Sequence, residues 1–152
     1  MTRASVASLF ATVLGAALAL PVAPALAVDA WKSVTETDLG WVRAKIRSKD
    51  YQAALQELRE LAKDNEDADV YNLLGFALRK TGDYASALTY YTKALALDPD
   101  HKGVREYLGE LYVETGLLDE AKEQLVILTR LCPTGCEERE DLEKAIAAKA
   151  GN

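Results

Sequence analysis

Residues 68–101, ADVYNLLGFALRKTGDYASALTYYTKALALDPDH, decide the fold. Apolar and small side chains recur three and four positions apart, first at Tyr71, Leu74, Gly75 and Leu78, then at Ala87, Leu88, Tyr91, Ala94 and Leu95. That spacing places each set on one buried face of an α-helix. Gly82-Asp83 separates the two runs and Asp98-Pro99 stops the second, so the stretch reads as two amphipathic helices with a tight turn between them. The same punctuation returns after 34 residues: Gly75 meets Gly109, Gly82 meets Gly116, Ala87 meets Ala121 and Pro99 meets Pro133. Recurrence at a single period, without a gap, predicts a stacked repeat.

The flanking segments extend the pattern. Upstream, Thr35 or Thr37 is placed to cap a helix running to about Arg47, with Leu39, Val42 and Ile46 on one face and Trp41 beside them. Ser48-Lys49-Asp50 makes a turn, and a second helix follows from Tyr51 to about Lys63, burying Ala54, Leu55, Leu58, Leu61 and Ala62. Downstream, a third pair is expected over about Lys102 to Glu114 (Leu108, Leu111 and Tyr112 inward) and Leu118 to Leu131 (Ala121, Leu125 and Leu128 inward). Beyond Pro133-Thr134-Gly135 a last helix covers about Glu137 to Lys149, with Leu142, Ala145 and Ile146 on one side. Thr134 and Glu137 have the spacing of a capping box for it. No segment alternates with a period of two, so the protein is expected to be all-α.

Residues 1–27, MTRASVASLFATVLGAALALPVAPALA, have the three parts of a secretory signal. Arg3 gives the positive start, Val6 to Leu20 the apolar stretch, and Ala25-Leu26-Ala27 the small residues before a cleavage point at Val28. The apolar run is shorter than the ~20 residues that span a bilayer, so export to the bacterial periplasm without stable membrane insertion is expected. Of the 152 residues, 28% are charged and 49% hydrophobic, a balance that fits a packed domain and not a disordered chain. The formal charge of −6 becomes −7 once Arg3 is removed, with 17 basic side chains left against 24 acidic ones. Such a field repels nucleic-acid phosphates and anionic lipid, which makes both poor partner candidates, and no nucleic acid is expected.

The helix pairs resemble the tetratricopeptide repeat (TPR). The central unit carries the family pattern at Tyr71, Leu74-Gly75, Ala87, Tyr91, Ala94 and Pro99, with Leu78 in place of a tyrosine. The next carries it at Leu108-Gly109, Tyr112, Ala121 and Pro133, with Arg105, Leu125 and Leu128 departing from it. Residues 36–67 resemble a degenerate unit, since Asp50-Tyr51-Gln52-Ala53-Ala54-Leu55 aligns with Asp83-Tyr84-Ala85-Ser86-Ala87-Leu88 at an offset of 33. The expected organisation is a signal over 1–27, a leader over 28–35, units over 36–67, 68–101 and 102–134, and a capping helix with tail over 135–152. The resemblance implies a right-handed α-solenoid of about three helix pairs. Gly75 against Ala87 and Gly109 against Ala121 are expected to let paired helices approach closely.

By the same resemblance, the first helices of successive pairs line a concave groove for an extended peptide or partner helix. The groove would present Leu39, Arg43 and Arg47, then Asn72, Phe76, Arg79 and Lys80, then Glu106, Glu110 and Val113. Glu106, Glu110 and Glu114 form an acidic row at i, i+4 and i+8. One basic end, one acidic end and an exposed Phe76 between them suit a protein or peptide partner of opposite charge order. The competing reading is a merely solvated helix face. Some TPR domains grip chaperone C-termini with clustered basic residues and asparagines; Gly103 and Glu106 stand where further basic residues would be needed, which argues against that use here.

Cys132 and Cys136 flank the last turn, and export would place them in an oxidising compartment. A structural disulfide clamping the final helix is expected; the alternative is a thiol–disulfide accessory factor using the same pair. Asp98, Asp100 and His101 read as a helix stop followed by an N-cap in preference to a weak metal site. No phosphate loop or nucleophile elbow occurs, so no catalytic residue, metal or cofactor is expected. Self-association through the groove or an end of the stack stays open.

Overall fold

The computed structural model describes residues 38–64 and 66–151. The signal, the leader and the Thr35 and Thr37 caps lie outside the described residues. Among the described residues seven helices follow one another: α1 (Gly40–Arg47), α2 (Tyr51–Asp64), α3 (Ala68–Lys80), α4 (Tyr84–Leu97), α5 (Lys102–Thr115), α6 (Leu118–Leu131) and α7 (Glu137–Ala150). No strand occurs among the described residues. Helices pair as α1–α2, α3–α4 and α5–α6, and α3 also packs on α2, α5 on α4 and α7 on both α5 and α6. The architecture is an all-α solenoid. No helix of the described residues is long and apolar enough to cross a membrane.

Local chemistry sets the helix ends, and it repeats. Asp67 accepts hydrogen bonds from Asp69 N (2.8 Å) and Val70 N (3.4 Å) to start α3. One period later His101 Nδ1 accepts from Val104 N (3.3 Å) to start α5. Within each pair the first helix closes with the same backbone bond: Asp50 N–H to Lys45 O (2.9 Å), Asp83 N–H to Leu78 O (2.9 Å) and Leu117 N–H to Tyr112 O (2.8 Å). This closure needs a left-handed residue. Gly82 and Gly116 supply it at φ +87° and +83°, but in the first pair the residue is Lys49 at φ +61°. A side chain there is strained by about 1 kcal/mol. Lys49→Gly is therefore expected to raise stability by at most about 0.5 kcal/mol after the added freedom of the unfolded chain is deducted, read as a slightly higher urea midpoint at unchanged slope.

The start of α7 differs from the expected capping box. Its N-cap is Cys136, which makes no side-chain capping bond, and Thr134 is exposed. The turn closed by Gly135 N–H to Cys132 O (3.0 Å), with Gly135 at φ +106°, leaves Thr134 outside the helix end. Glu137, Glu138 and Glu140 in the first turn complement the helix dipole instead.

Among the described residues two contiguous apolar clusters form the core. The larger joins α1 to α5 around Leu58, Leu74, Ala87, Tyr91 and Ala94, and the smaller joins Val113, Ala121, Leu128 and Leu142. Full burial of each large side chain contributes about 1.5–3 kcal/mol. Leu88, expected inside, is 37% exposed; Ala87, Tyr91 and Ala94 already complete the inward stripe of α4. The repeat glycines are close-approach points, but not against the alanines expected. A Cβ on Gly75 would stand 2.5 Å from the Tyr91 ring, and one on Gly109 would stand 2.5 Å from Leu142. The difference has a cause in the sequence. The position equivalent to Tyr91 is Leu125, a smaller side chain, and the space at Gly109 is filled from α7.

Candidate functional site

The first helices of the three pairs, α1, α3 and α5, bring together most of the groove residues expected from sequence, in an arrangement that differs from the expected one. Arg43, Ile46 and Arg47 of α1, Leu73 and Phe76 of α3, and Tyr107 of α5 enclose a shallow cavity of about 200 Å³. Phe76 is half-buried and not freely exposed. Its ring lies edge-on to Tyr51 (centroids 6.4 Å apart) and tilted against Tyr107 (4.8 Å). Lys80, exposed, holds its Nζ 5.3 Å from the Phe76 ring centre. Arg47 is exposed, and Arg43 reaches Asp69 at 3.4 Å. Leu39 and Val113 are buried in the core and do not line the groove.

Arg79 departs most from expectation. It is 2% exposed, and its guanidinium leaves α3 to pair with Glu110 and, at 2.5 Å, with Glu114 on α5. Its Cζ also sits 5.4 Å from the Phe76 ring centre and 5.8 Å from that of Tyr107. Burial works against the charge on the guanidinium, but Tyr91, Glu110 and Glu114 around it outweigh that and hold it above its ordinary range. The Tyr91 hydroxyl and Arg79 Nε are both buried, and neither has a hydrogen-bond partner among the described residues. The expected separation into a basic and an acidic end therefore does not hold, because Arg79 lies within the acidic row and neutralises part of it. What remains for a ligand is an apolar, aromatic floor with Arg43, Arg47 and Lys80 at its rim.

A deeper cleft of about 330 Å³ adjoins this surface, sharing Arg43 and Tyr107 with it. Its walls include Asn72 and Glu106, which are 4% and 9% exposed. At its edge His101 Nε2 lies 3.1 Å from Asp69 Oδ1. Because Nδ1 accepts the Val104 cap, the imidazole proton sits on Nε2 and is donated to Asp69. That contact draws Asp69 below the usual carboxylate range and raises His101.

Glu106 is pushed up to about 8, chiefly by burial and then by Glu110, Asp141 and Glu138, with Arg79 opposing. Charged groups reach the cleft from every helix packed there: Arg43 on α1, Asp69 and Arg79 on α3, and Glu137, Glu138 and Asp141 on α7. With an ordinary value of 4.5 when unfolded, Glu106 takes up a proton on folding across the interval up to about 8. Stability is then greatest below the unfolded value and falls as pH rises through the folded one. A loss on the order of 2 kcal/mol between about pH 5 and pH 9 is expected from this group after allowance for solvent relaxation. Glu106→Gln, which does not ionise, should flatten that slope and melt higher than the parent at about pH 9.

Cys132 and Cys136 stand with their sulfurs 2.06 Å apart and α-carbons 6.0 Å apart, between α6 and α7. Among the described residues no group of three or more His, Cys, Asp or Glu side chains is placed to hold a metal ion. Sequence reasoning missed Ile46, Leu73 and Tyr107. A signal for two of them was present: Leu73 and Tyr107 are one 34-residue period apart, so both occupy the same place on successive first helices.

Comparison with known proteins bears on this surface. Two sequence profiles described as tetratricopeptide repeat match residues 39–101 and 78–130. A stretch of 54 residues is 46% identical to Protein FlbA of Caulobacter vibrioides, spanning 36% of this chain and 9% of that protein. Among solved structures, the type III secretion translocator chaperone SycD of Yersinia enterocolitica aligns with a TM-score of 0.64 at 20% identity, over 73% of this chain and 87% of SycD. PcrH, solved in complex with the chaperone binding region of PopB, aligns with a TM-score of 0.60 at 20% identity, over 72% of this chain and 89% of PcrH. These structural likenesses concern the fold.

Proposed function

Since the chain belongs to the tetratricopeptide-repeat family, we propose that it is a non-catalytic adaptor that holds a segment of a partner protein across the first helices of its repeats. The observation that carries this reading is the shallow cavity of Ile46, Leu73, Phe76 and Tyr107 rimmed by Arg43 and Arg47. An apolar anchor settles on the aromatic floor, while the rim cations select acidic neighbours along the segment. The PcrH complex supports it in one respect: a similar fold accommodates a region of another protein. Affinity capture from an envelope extract tests the proposal, comparing the parent with Phe76→Ala plus Arg47→Glu, both verified as folded by circular dichroism. The account expects at least one partner to be lost from the double variant; identical captured sets would refute it.

The address proposed is the periplasm, on the composition of residues 1–27. N-terminal sequencing of the exported chain is expected to begin at Val28, and retention of Arg3 would contradict cleavage. In that compartment Cys132 and Cys136 are proposed to form a structural disulfide that holds α7 to the end of α6. Cys132 is buried, which favours a clamp over an exchanging pair, since exchange requires an accessible sulfur. Replacement of both cysteines should lower thermal stability and leave partner capture unchanged.

A further inference from the structure

The cleft between α1, α3, α5 and α7 carries a polarity that the fold does not explain. Asn72 and Glu106 are one 34-residue period apart, and their counterpart in the first unit is Leu39. All three are buried. A position that the stack fills with leucine at one end is thus occupied by an amide and a carboxyl in the next two units. Buried polar groups are almost always hydrogen-bonded, because one left alone keeps the full cost of its lost hydration. Yet Asn72 Oδ1 has no partner, and no hydrogen bond or ion pair to Glu106 is found among the described residues. Both groups line the same cavity.

We propose that this cleft is a cation subsite, in which Glu106 and Asn72 Oδ1 receive the ammonium or guanidinium of a basic side chain projecting from the bound segment. The inference rests on the adaptor reading above and deepens it, because Arg43 and Tyr107 line both the cleft and the apolar groove. A segment seated on Phe76 therefore passes the mouth of the cleft. The sign of the ligand follows from the walls. Asp69 is already engaged by Arg43 and His101, whereas Glu106, Glu137 and Glu138 line the space with no ion pair to a cation among the described residues. A lysine ammonium has three donors and an arginine guanidinium five, enough to satisfy the carboxyl and the amide oxygen together. Size is adequate: an engineered cavity of about 150 Å³ holds benzene, and this one measures about 330 Å³. Burial, which disfavours the ionised Glu106 in the empty cleft, is offset when a cation enters beside it.

The test uses the intact protein and small probes that bypass the groove. Nitrogen-labelled protein is titrated with N-acetyl-lysine-N-methylamide, N-acetyl-arginine-N-methylamide, alaninamide and N-acetyl-glutamate-N-methylamide at near-physiological salt, and amide shifts are followed. Saturable shifts around Asn72 and Glu106 are expected with the lysine or arginine probe, at a Kd on the order of 1–10 mM. Glu106→Gln should weaken binding at least tenfold and Asn72→Leu several-fold; the leucine reproduces the residue found at Leu39, so that variant is expected to fold. Shifts no larger than those from the glutamate probe, or an unchanged Kd in Glu106→Gln, would overturn the subsite. Binding confined to alaninamide would overturn the side-chain assignment in favour of a chain terminus. Any of these failures leaves the groove reading intact, because that reading stands or falls on partner capture by the Phe76 variant.

Discussion

Gly75→Leu is expected to abolish the cooperative thermal transition. A Cβ alone at this position would lie 2.5, 2.6 and 2.9 Å from three atoms of the Tyr91 ring. Tyr91 is fully buried on α4, so its ring has no free volume into which to swing. The rest of a leucine side chain would force α3 and α4 apart along a seam that lies within the larger core cluster. Overpacking by single methylenes already costs about 1–3 kcal/mol; a whole side chain against a fixed ring should exceed about 4 kcal/mol, a large share of the 5–15 kcal/mol that holds a typical domain folded. Gly75→Ala should fall between, its clash partly offset by better helix propensity, worth about 1 kcal/mol. A Gly75→Leu melt within a degree or two of the parent would show that this contact does not set the helix spacing.

Arg79→Ala is expected to cost about 3 kcal/mol, a fall in melting temperature of roughly 10 °C. The guanidinium is the charged link from α3 to Glu110 and Glu114. Its removal leaves Glu110 and Glu114 one turn apart on one helix with no cation between them, and takes a cation from the faces of Phe76 and Tyr107. Removing one partner of a buried pair is more damaging than replacing the whole set. Arg79→Met combined with Glu110→Gln and Glu114→Gln should therefore recover most of the loss. If Arg79→Ala melts with the parent, the ion pair contributes nothing to the union of the second and third units.

The scaffold was legible because a repeat reports each position more than once. Helix ends, turns and the inward stripes of α3 to α6 recur at one period, and the family resemblance extends through the imperfect first unit. The site was harder to read because groove residues were selected by polarity. Arg79 reads by itself as an outward cation, yet its equivalents are Ile46 and Val113, both apolar, and that column is the sign of a buried position. Asn72 and Glu106 share a column with Leu39 and carried the same warning. Phe76 reads as exposed in the sequence because the reach of Tyr107 from the neighbouring helix depends on the distance between repeats, which no single helix encodes. The partners of Gly75 and Gly109 required knowing that Leu125 is too small to do what Tyr91 does. The α7 helix extends the period at Leu74, Leu108 and Leu142, so it sits where the first helix of a fourth unit would sit and closes the stack.

The central claim is that a partner segment lies on the face formed by α1, α3 and α5. Amide shift mapping tests it most directly, with nitrogen-labelled protein titrated by a peptide selected for binding from a random library. The account predicts the largest shifts at Ile46, Arg47, Leu73, Phe76 and Tyr107, and their loss in Phe76→Ala plus Arg47→Glu. Shifts centred on the exposed apolar residues of the second helices, Leu88, Leu97 and Val126, would contradict it.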